Sequence, residues 1–153
     1  MSYLGHVLVE NRNGLIVGAM ATTADGFAER DAALLMVHDR RRSRKPIRSV
    51  GADKGYDTRD FVTALREMKV RPHVSQNNKG RRSAIDARTT RHEGYAISQK
   101  KRPLIERTFG WMKTIAGIRK IKLRGLRNVD WLFVLTAAAF NLWRIPRLKL
   151  AQA

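Results

Sequence analysis

Two acids in this sequence have neighbours that could support chemistry. Glu106 lies in KKRPLIERTFGWMK, residues 100–113, among Lys100, Lys101, Arg102, Arg107 and Lys113. Asp53 closes SVGAD, residues 49–53, just before Lys54-Gly55. Carboxylates are hard oxygen donors that suit Mg²⁺ or Mn²⁺. Two such ions, roughly 3.5–4 Å apart, can clamp the attacking and leaving oxygens of a phosphodiester. The surrounding Lys and Arg hold a phosphate backbone but cannot replace the metal. Asp53 and Glu106 are therefore candidate ligands of a metal-dependent phosphoryl-transfer site. Each has a plainer reading. Glu106 can form an i,i+4 ion pair with Arg102, worth about 0.2–0.5 kcal/mol. Asp53 can be a turn residue, although ligands gather at the C-terminal ends of strands in α/β sheets. Asp57 is expected to help cap the helix that follows it.

The elements that must position these residues follow from periodicity and turn signals. HVLVE (6–10) and LIVGAMAT (15–22) flank NRNG, and Asn13-Gly14 signals a hairpin. AERDAALLMVHDRR (28–41) predicts a helix with Ala32, Leu35 and Met36 on one face. RRRSRKPIR (40–48) is a basic connector that Pro46 keeps from being helical. SVGAD reads as a short strand, TRDFVTALREMKV (58–70) as a helix, and RPHVSQ (71–76) as another strand. In that helix Thr58 is the N-cap, and Phe61, Leu65 and Met68 face inward. Strand, helix, strand is the pattern of a parallel βαβ unit.

Residues 77–98 have no period and read as a long basic loop, a kind of segment that is usually functional or disordered. Two helices are expected to close the chain, over about 98–116 and 128–144, separated by GIRKIKLRGLRN (117–128). On a wheel of about 100° per residue, Arg102, Glu106 and Lys113 of the first helix fall within about 40°. They form one polar line beside an apolar face, a place where a carboxylate is partly shielded yet reachable.

Composition narrows the partner. The chain has 153 residues, which suggests one domain, and 43% of them are hydrophobic, enough for a modest core. It carries 31 Lys and Arg against 13 Asp and Glu, a formal charge of +18. The sequence pI of about 11.4 matches a nucleic-acid-binding domain. Anionic lipid and a ribosome-associated structural role are the competing readings of this charge. Candidate phosphate contacts are Arg81, Arg82, Arg88 and Arg91 in the long loop, with Lys100 and Lys101 after it. Arg119, Lys120, Lys122 and Arg124 form a second group. The chain has no cysteine, so disulfides, thiolate zinc sites and thiol catalysis are excluded. No signal-peptide pattern is visible at the start. WLFVLTAAAFNLW (131–143) is shorter than the ~18 residues of a membrane span and contains Asn141, so it is expected to be a buried core helix.

The order SVGADKGYDTRDFVTALRE, RTTRHEGYAISQKKR, IERTFGWMKT resembles the DDE transposases of bacterial insertion sequences, in the group related to insertion sequences four and five. The resemblance covers about residues 3–147. It makes Asp53 the counterpart of the family's second catalytic Asp. The third acid of the family sits in a signature of Tyr, two residues, Arg, three residues, Glu, six residues, Lys. Arg102, Glu106 and Lys113 match its last two spacings, while Gln99 stands at the Tyr position and the nearest tyrosine is Tyr95. The resemblance implies an RNase H-like α/β fold, a mixed sheet with flanking helices. It also implies Mg²⁺ or Mn²⁺ bound by Asp53 and Glu106, and strand cleavage followed by transfer into target DNA.

The family's first Asp lies on a strand ahead of the hairpin, and Asp25, downstream of it, does not correspond. The chain is therefore expected to be a partial catalytic domain. It would lack that strand and the N-terminal DNA-binding region, and would be inactive alone. DNA is the implied partner, as transposon ends and target, along with the missing half or another transposase copy. The implied location is the bacterial cytoplasm, at the nucleoid, with no membrane. A non-catalytic DNA-binding remnant or regulator is the alternative function.

Overall fold

The computed structural model describes residues 2–26, 28–41 and 46–150. Residues 42–45 of the expected basic connector lie outside the described residues. The architecture is α/β, and its described strands hydrogen-bond in two separate pairs. Two compact units are present, residues 1–36 with 104–153, and residues 37–103.

In the first unit, β1 (Tyr3–Val9) and β2 (Ile16–Thr23) form the expected antiparallel hairpin, with Tyr3 opposite Thr23 and a bulge at Leu8/Val9. The turn lies over the expected Asn13-Gly14, with only the glycine in the left-handed region. Gly14 has φ +70°, but Asn13 does not share a positive φ. The Glu10 carboxylate organises the loop, accepting the N–H groups of Arg12 (2.7 Å), Asn13 (2.7 Å) and Leu15 (3.2 Å). α1 (Ala28–Arg41) occupies the expected residues, with 28–36 in this unit and 37–41 in the other. Its buried line runs in steps of four through Ala28, Ala32 and Met36, whereas Leu35 is 49% exposed, contrary to expectation. A step from Met36 back to Leu35 turns about 100° around the helix, which carries Leu35 off that line.

α5 (Leu104–Thr114) and α6 (Leu126–Leu150) complete this unit. Val129, Phe133, Ala137 and Phe140 recur at three- and four-residue steps along α6 and pack with Val7, Ile16, Ala21 and Met112. Full burial of such apolar side chains contributes about 1.5–3 kcal/mol each for the larger ones. Gly5 permits this approach, because a Cβ there would lie 2.3 Å from the Phe133 ring. The α6 side chains also satisfy the outer edge of β2. Asn141 accepts the Ile16 N–H and donates to the Ile16 carbonyl, both at 2.8 Å, and Asp130 accepts the Ala21 N–H at 2.7 Å. Unpaired edge groups would otherwise invite pairing with other chains. The 131–143 stretch is thus buried on one face only, since Trp131, Leu135 and Leu142 are exposed. Among the described residues no helix is long and apolar enough to cross a membrane.

The second unit is the predicted parallel βαβ unit. β3 (Ser49–Ala52) pairs with β4 (Arg71–Val74), from Ser49 opposite Arg71 to Ala52 opposite Val74. α2 (Arg59–Glu67) connects them, N-capped by Thr58, whose hydroxyl accepts the Phe61 N–H. Phe61, Val62 and Leu65 are buried, with Val50, Val70, Val74 and Ile85. Met68 is only partly buried. The segment 77–98 is not a plain loop. It contains α3 (Ala87–Thr90), and α4 (Glu93–Lys101) begins within it. Asp86 caps α3 by accepting the Thr89 N–H, and His92 caps α4 by accepting the Gly94 N–H. These helices bury little, with Ser98 the buried residue of α4, so no apolar period announces them.

Candidate functional site

Asp53 follows β3 and N-caps a single 3₁₀ turn, Lys54–Tyr56. Its Oδ1 accepts the Gly55 N–H at 2.7 Å, in an exposed setting. That bond fixes the carboxylate and leaves Oδ2 without a protein partner among the described residues. The turn-residue reading of Asp53 is thus realised, and one oxygen remains available to a cation.

Glu106 is exposed in the first turn of α5 and makes no ion pair among the described residues. The wheel that joined it to Arg102 fails, because the helix is interrupted. Arg102 is the C-cap of α4, and α5 starts only at Leu104. Pro103 lies between them, lacks the N–H that an unbroken helix needs, and its ring clashes with the preceding turn. Within α5 the expected face survives. Glu106 and Lys113 are seven residues apart, about two turns, and both are exposed. The Thr108 and Met112 side chains are buried and hold the helix in place. Lys113 lies over the Phe109 ring, its Nζ 5.9 Å from the centroid. Asp53 and Arg102 belong to the unit of residues 37–103, and Glu106 and Lys113 to the other. Among the described residues, no group of three or more His, Asp or Glu is arranged to hold a metal ion.

Three residues have roles that local reading missed. Asp57 is 1% exposed and does not cap α2. Its carboxylate accepts the N–H groups of Asn77 (2.6 Å) and Ala84 (2.9 Å), and its carbonyl accepts the Arg81 guanidinium. It therefore ties down residues 77–84. Gln99, at the position where the resemblance expects Tyr, donates to the His73 carbonyl at 2.8 Å and accepts the Ser75 hydroxyl at 2.7 Å. Tyr95, one turn earlier on α4, donates to the Val74 carbonyl at 3.1 Å. Both residues clamp α4 to β4.

The candidate phosphate contacts differ in how they are held. Arg81 is engaged with Asp57, and Arg88 pairs with Asp86 at 3.1 Å. Arg82, Arg91, Lys100 and Lys101 are exposed and form no ion pair among the described residues. The segment between α5 and α6 alternates. Ile118 and Ile121 pack against the core of their unit, while Arg119, Lys120, Lys122 and Arg124 are exposed. That alternation anchors the backbone and presents the cations to solvent. Among the described residues, the ion pairs between Arg and carboxylates all involve Asp86.

Residues 1–142 match the family described as transposase DDE domain. The chain belongs to that family. Searches of curated proteins and of solved structures found no match. Family membership makes this a transposase domain and implies DNA as its partner.

Proposed function

We propose that this chain forms part of an RNase H-like transposase catalytic domain, from the group related to insertion sequences four and five. Asp53 and Glu106 serve as its second and third metal-binding acids. Their donor chemistry fits Mg²⁺ or Mn²⁺, since each is an exposed carboxylate with oxygen free of protein partners. A bound divalent ion supplies Lewis-acid stabilisation of charge on phosphate oxygens. Gly55 fixes the orientation of Asp53, and α5 carries Glu106 on a rigid element. Lys113 and Arg102 offset phosphate charge near the acids. Arg82, Arg91, Lys100, Lys101 and the cations at 119–124 hold the DNA backbone.

The supporting observation is that Asp53 and Glu106 remain without ion pairs in a chain of net charge +18, within a family of DDE transposases. Five other acids have the carboxylate engaged with a backbone N–H. Asp57, Asp86, Asp130 and Glu10 accept backbone N–H groups, as does Asp25 at the start of α1. The complete enzyme would cleave at transposon ends and join them to target DNA, in the cytoplasm at the nucleoid.

The test has two parts. Mn²⁺ binding, followed by water-proton relaxation, should weaken clearly in Asp53→Asn and in Glu106→Gln. Joining an upstream segment that bears the first acid should give Mn²⁺-dependent strand cleavage, and Glu106→Gln should abolish it. Equal cleavage with Glu or Gln would reduce Glu106 to a carboxylate that eases the dipole of α5, worth about 0.3–1 kcal/mol.

A further inference from the structure

A cavity of about 490 Å³ opens beside the N-terminal part of β4. Arg66, Lys69, Arg71 and Arg88 line it with one carboxylate, Asp86, a balance of +4 and −1, or +3 with neutral histidines. Asp86 is shared between Arg66 at 3.3 Å and Arg88 at 3.1 Å, so it cannot neutralise the set. The Thr89 N–H, above all, holds the Asp86 carboxyl below its usual range and keeps it ionised.

Three observations single out this cavity. The first is His92. Its Nδ1 faces the Gly94 N–H at 3.0 Å, and its Nε2 faces an Arg71 guanidinium nitrogen at 3.0 Å. A neutral imidazole accepts at one nitrogen only. One of those two contacts therefore sets donor against donor, unless an acceptor from outside joins the cluster. The second is His73, which is 3% exposed and lines the same cavity. Its Nδ1 lies 2.7 Å from the Ser98 hydroxyl, and its Nε2 is buried without a partner. Whichever tautomer it takes, one buried ring nitrogen is left without a protein partner. Leaving a buried polar group unpaired costs about 1–3 kcal/mol.

The third is Lys69. It has φ +56° and is the one described non-glycine residue with positive φ. The Val70 N–H bonds to the Leu65 carbonyl at 2.9 Å, and the Lys69 N–H to the Arg66 carbonyl at 2.8 Å. This is the Schellman end of α2, and its left-handed position ordinarily takes glycine. A lysine there carries backbone strain and places a cation on the cavity rim.

We propose that this cavity binds a phosphate group, held by Lys69 and Arg71 and completed by His92, with the buried His73 ring at its wall. Arg71 opens β4 at its N-terminal end, whereas Asp53 follows the C-terminal end of the parallel strand β3. Four residues at about 3.3 Å each separate those ends by roughly 13 Å. The site is independent of the metal-binding reading of Asp53 and Glu106, so failure of the Mn²⁺ test would leave it untouched.

The experiment follows the imidazole and backbone NMR signals of His73, His92 and Thr89 on the intact chain. Inorganic phosphate is titrated at constant ionic strength in one arm, and a short DNA oligonucleotide in the other. Saturable shifts in either arm support the site. Shifts with DNA alone make the source a nucleic-acid backbone, and shifts with phosphate alone a free phosphate compound. Lys69→Gly is the decisive variant, because glycine relieves the strain at φ +56° and so preserves the fold. It should weaken binding by roughly tenfold, the loss of one charge-assisted hydrogen bond, and Arg71→Gln should do the same. No shift in either arm, the same shift with chloride, or equal affinity in both variants would overturn the proposal.

Discussion

Replacing Asp57 by Asn should release the segment that follows β4. The carboxylate is 1% exposed and receives two backbone N–H groups, from Asn77 at 2.6 Å and Ala84 at 2.9 Å. Asn has the same size but one accepting oxygen. Whichever way the amide turns, its NH₂ must face one of those N–H groups. The substitution loses one charge-assisted bond, weakens the other to a neutral one, and strands a buried donor. With about 1.5–3 kcal/mol for a hydrogen bond to a charged group and about 1–3 kcal/mol for an unpaired donor, the closed loop loses roughly 2–4 kcal/mol. The protein can avoid part of this by opening residues 77–84 while the βαβ unit stays folded. Amide hydrogen exchange is therefore the right assay. Asn77 and Ala84 should exchange about 30-fold faster or more, since 1.4 kcal/mol is a factor of ten. Urea unfolding should register a smaller loss. Unchanged exchange at both amides, with a global change below about 0.5 kcal/mol, would refute the view that Asp57 holds this loop.

Acid should destabilise the fold through two buried histidines. Burial holds His6 below its ordinary range, partly offset by Glu29, and burial plus repulsion from His92 and Arg71 does the same for His73. The unfolded chain then binds protons first, so this stability is present above about pH 6.5 and is lost as pH falls below it. Urea unfolding between pH 7.5 and 5 should show the decline, and a His6→Gln, His73→Gln double variant should flatten it; stability that rises on acidification would contradict the assignment. DNA affinity should fall steeply with salt, and Lys120→Gln with Lys122→Gln should reduce the log–log slope by about 1.8, or about 0.9 per phosphate contact. A slope unchanged in that variant would remove the 119–124 segment from the DNA surface.

What the sequence makes legible is local. The hairpin, α1, Thr58 as a cap and the βαβ order all rest on spacings of a few residues, and the structure has each of them. The turn of the hairpin is less legible, because Asn-Gly tolerates positive φ without demanding it at both residues, and Glu10 offers three N–H groups a better acceptor. Helices α3 and α4 escape periodicity because they are held by caps, at Asp86 and His92, and by the bonds from Tyr95 and Gln99 to β4. None of these contributes an apolar stripe. Pro103, by contrast, is a visible signal. A wheel drawn through it mixes two helices and places Arg102 on a face it does not share.

The acids show why site chemistry is harder to read than fold. Asp53 and Asp57 are four residues apart in ADKGYD, and spacing alone cannot rank them. Their difference is created by partners 20 and 27 residues downstream, whose N–H groups consume both oxygens of Asp57. Asp53 spends one oxygen on Gly55, two residues away, and keeps the other. A carboxylate with both oxygens committed in a buried setting is positioned to hold structure. One that is exposed and half-committed is positioned to meet a cation. The same logic, applied to donors instead of acceptors, separates the cations. Arg81 is spent on Asp57, whereas Lys69 and Arg71 crowd a cavity whose one carboxylate, Asp86, is shared by Arg66 and Arg88. In a chain with 31 basic residues, composition shows only that anions will bind. Which donors are already satisfied decides where.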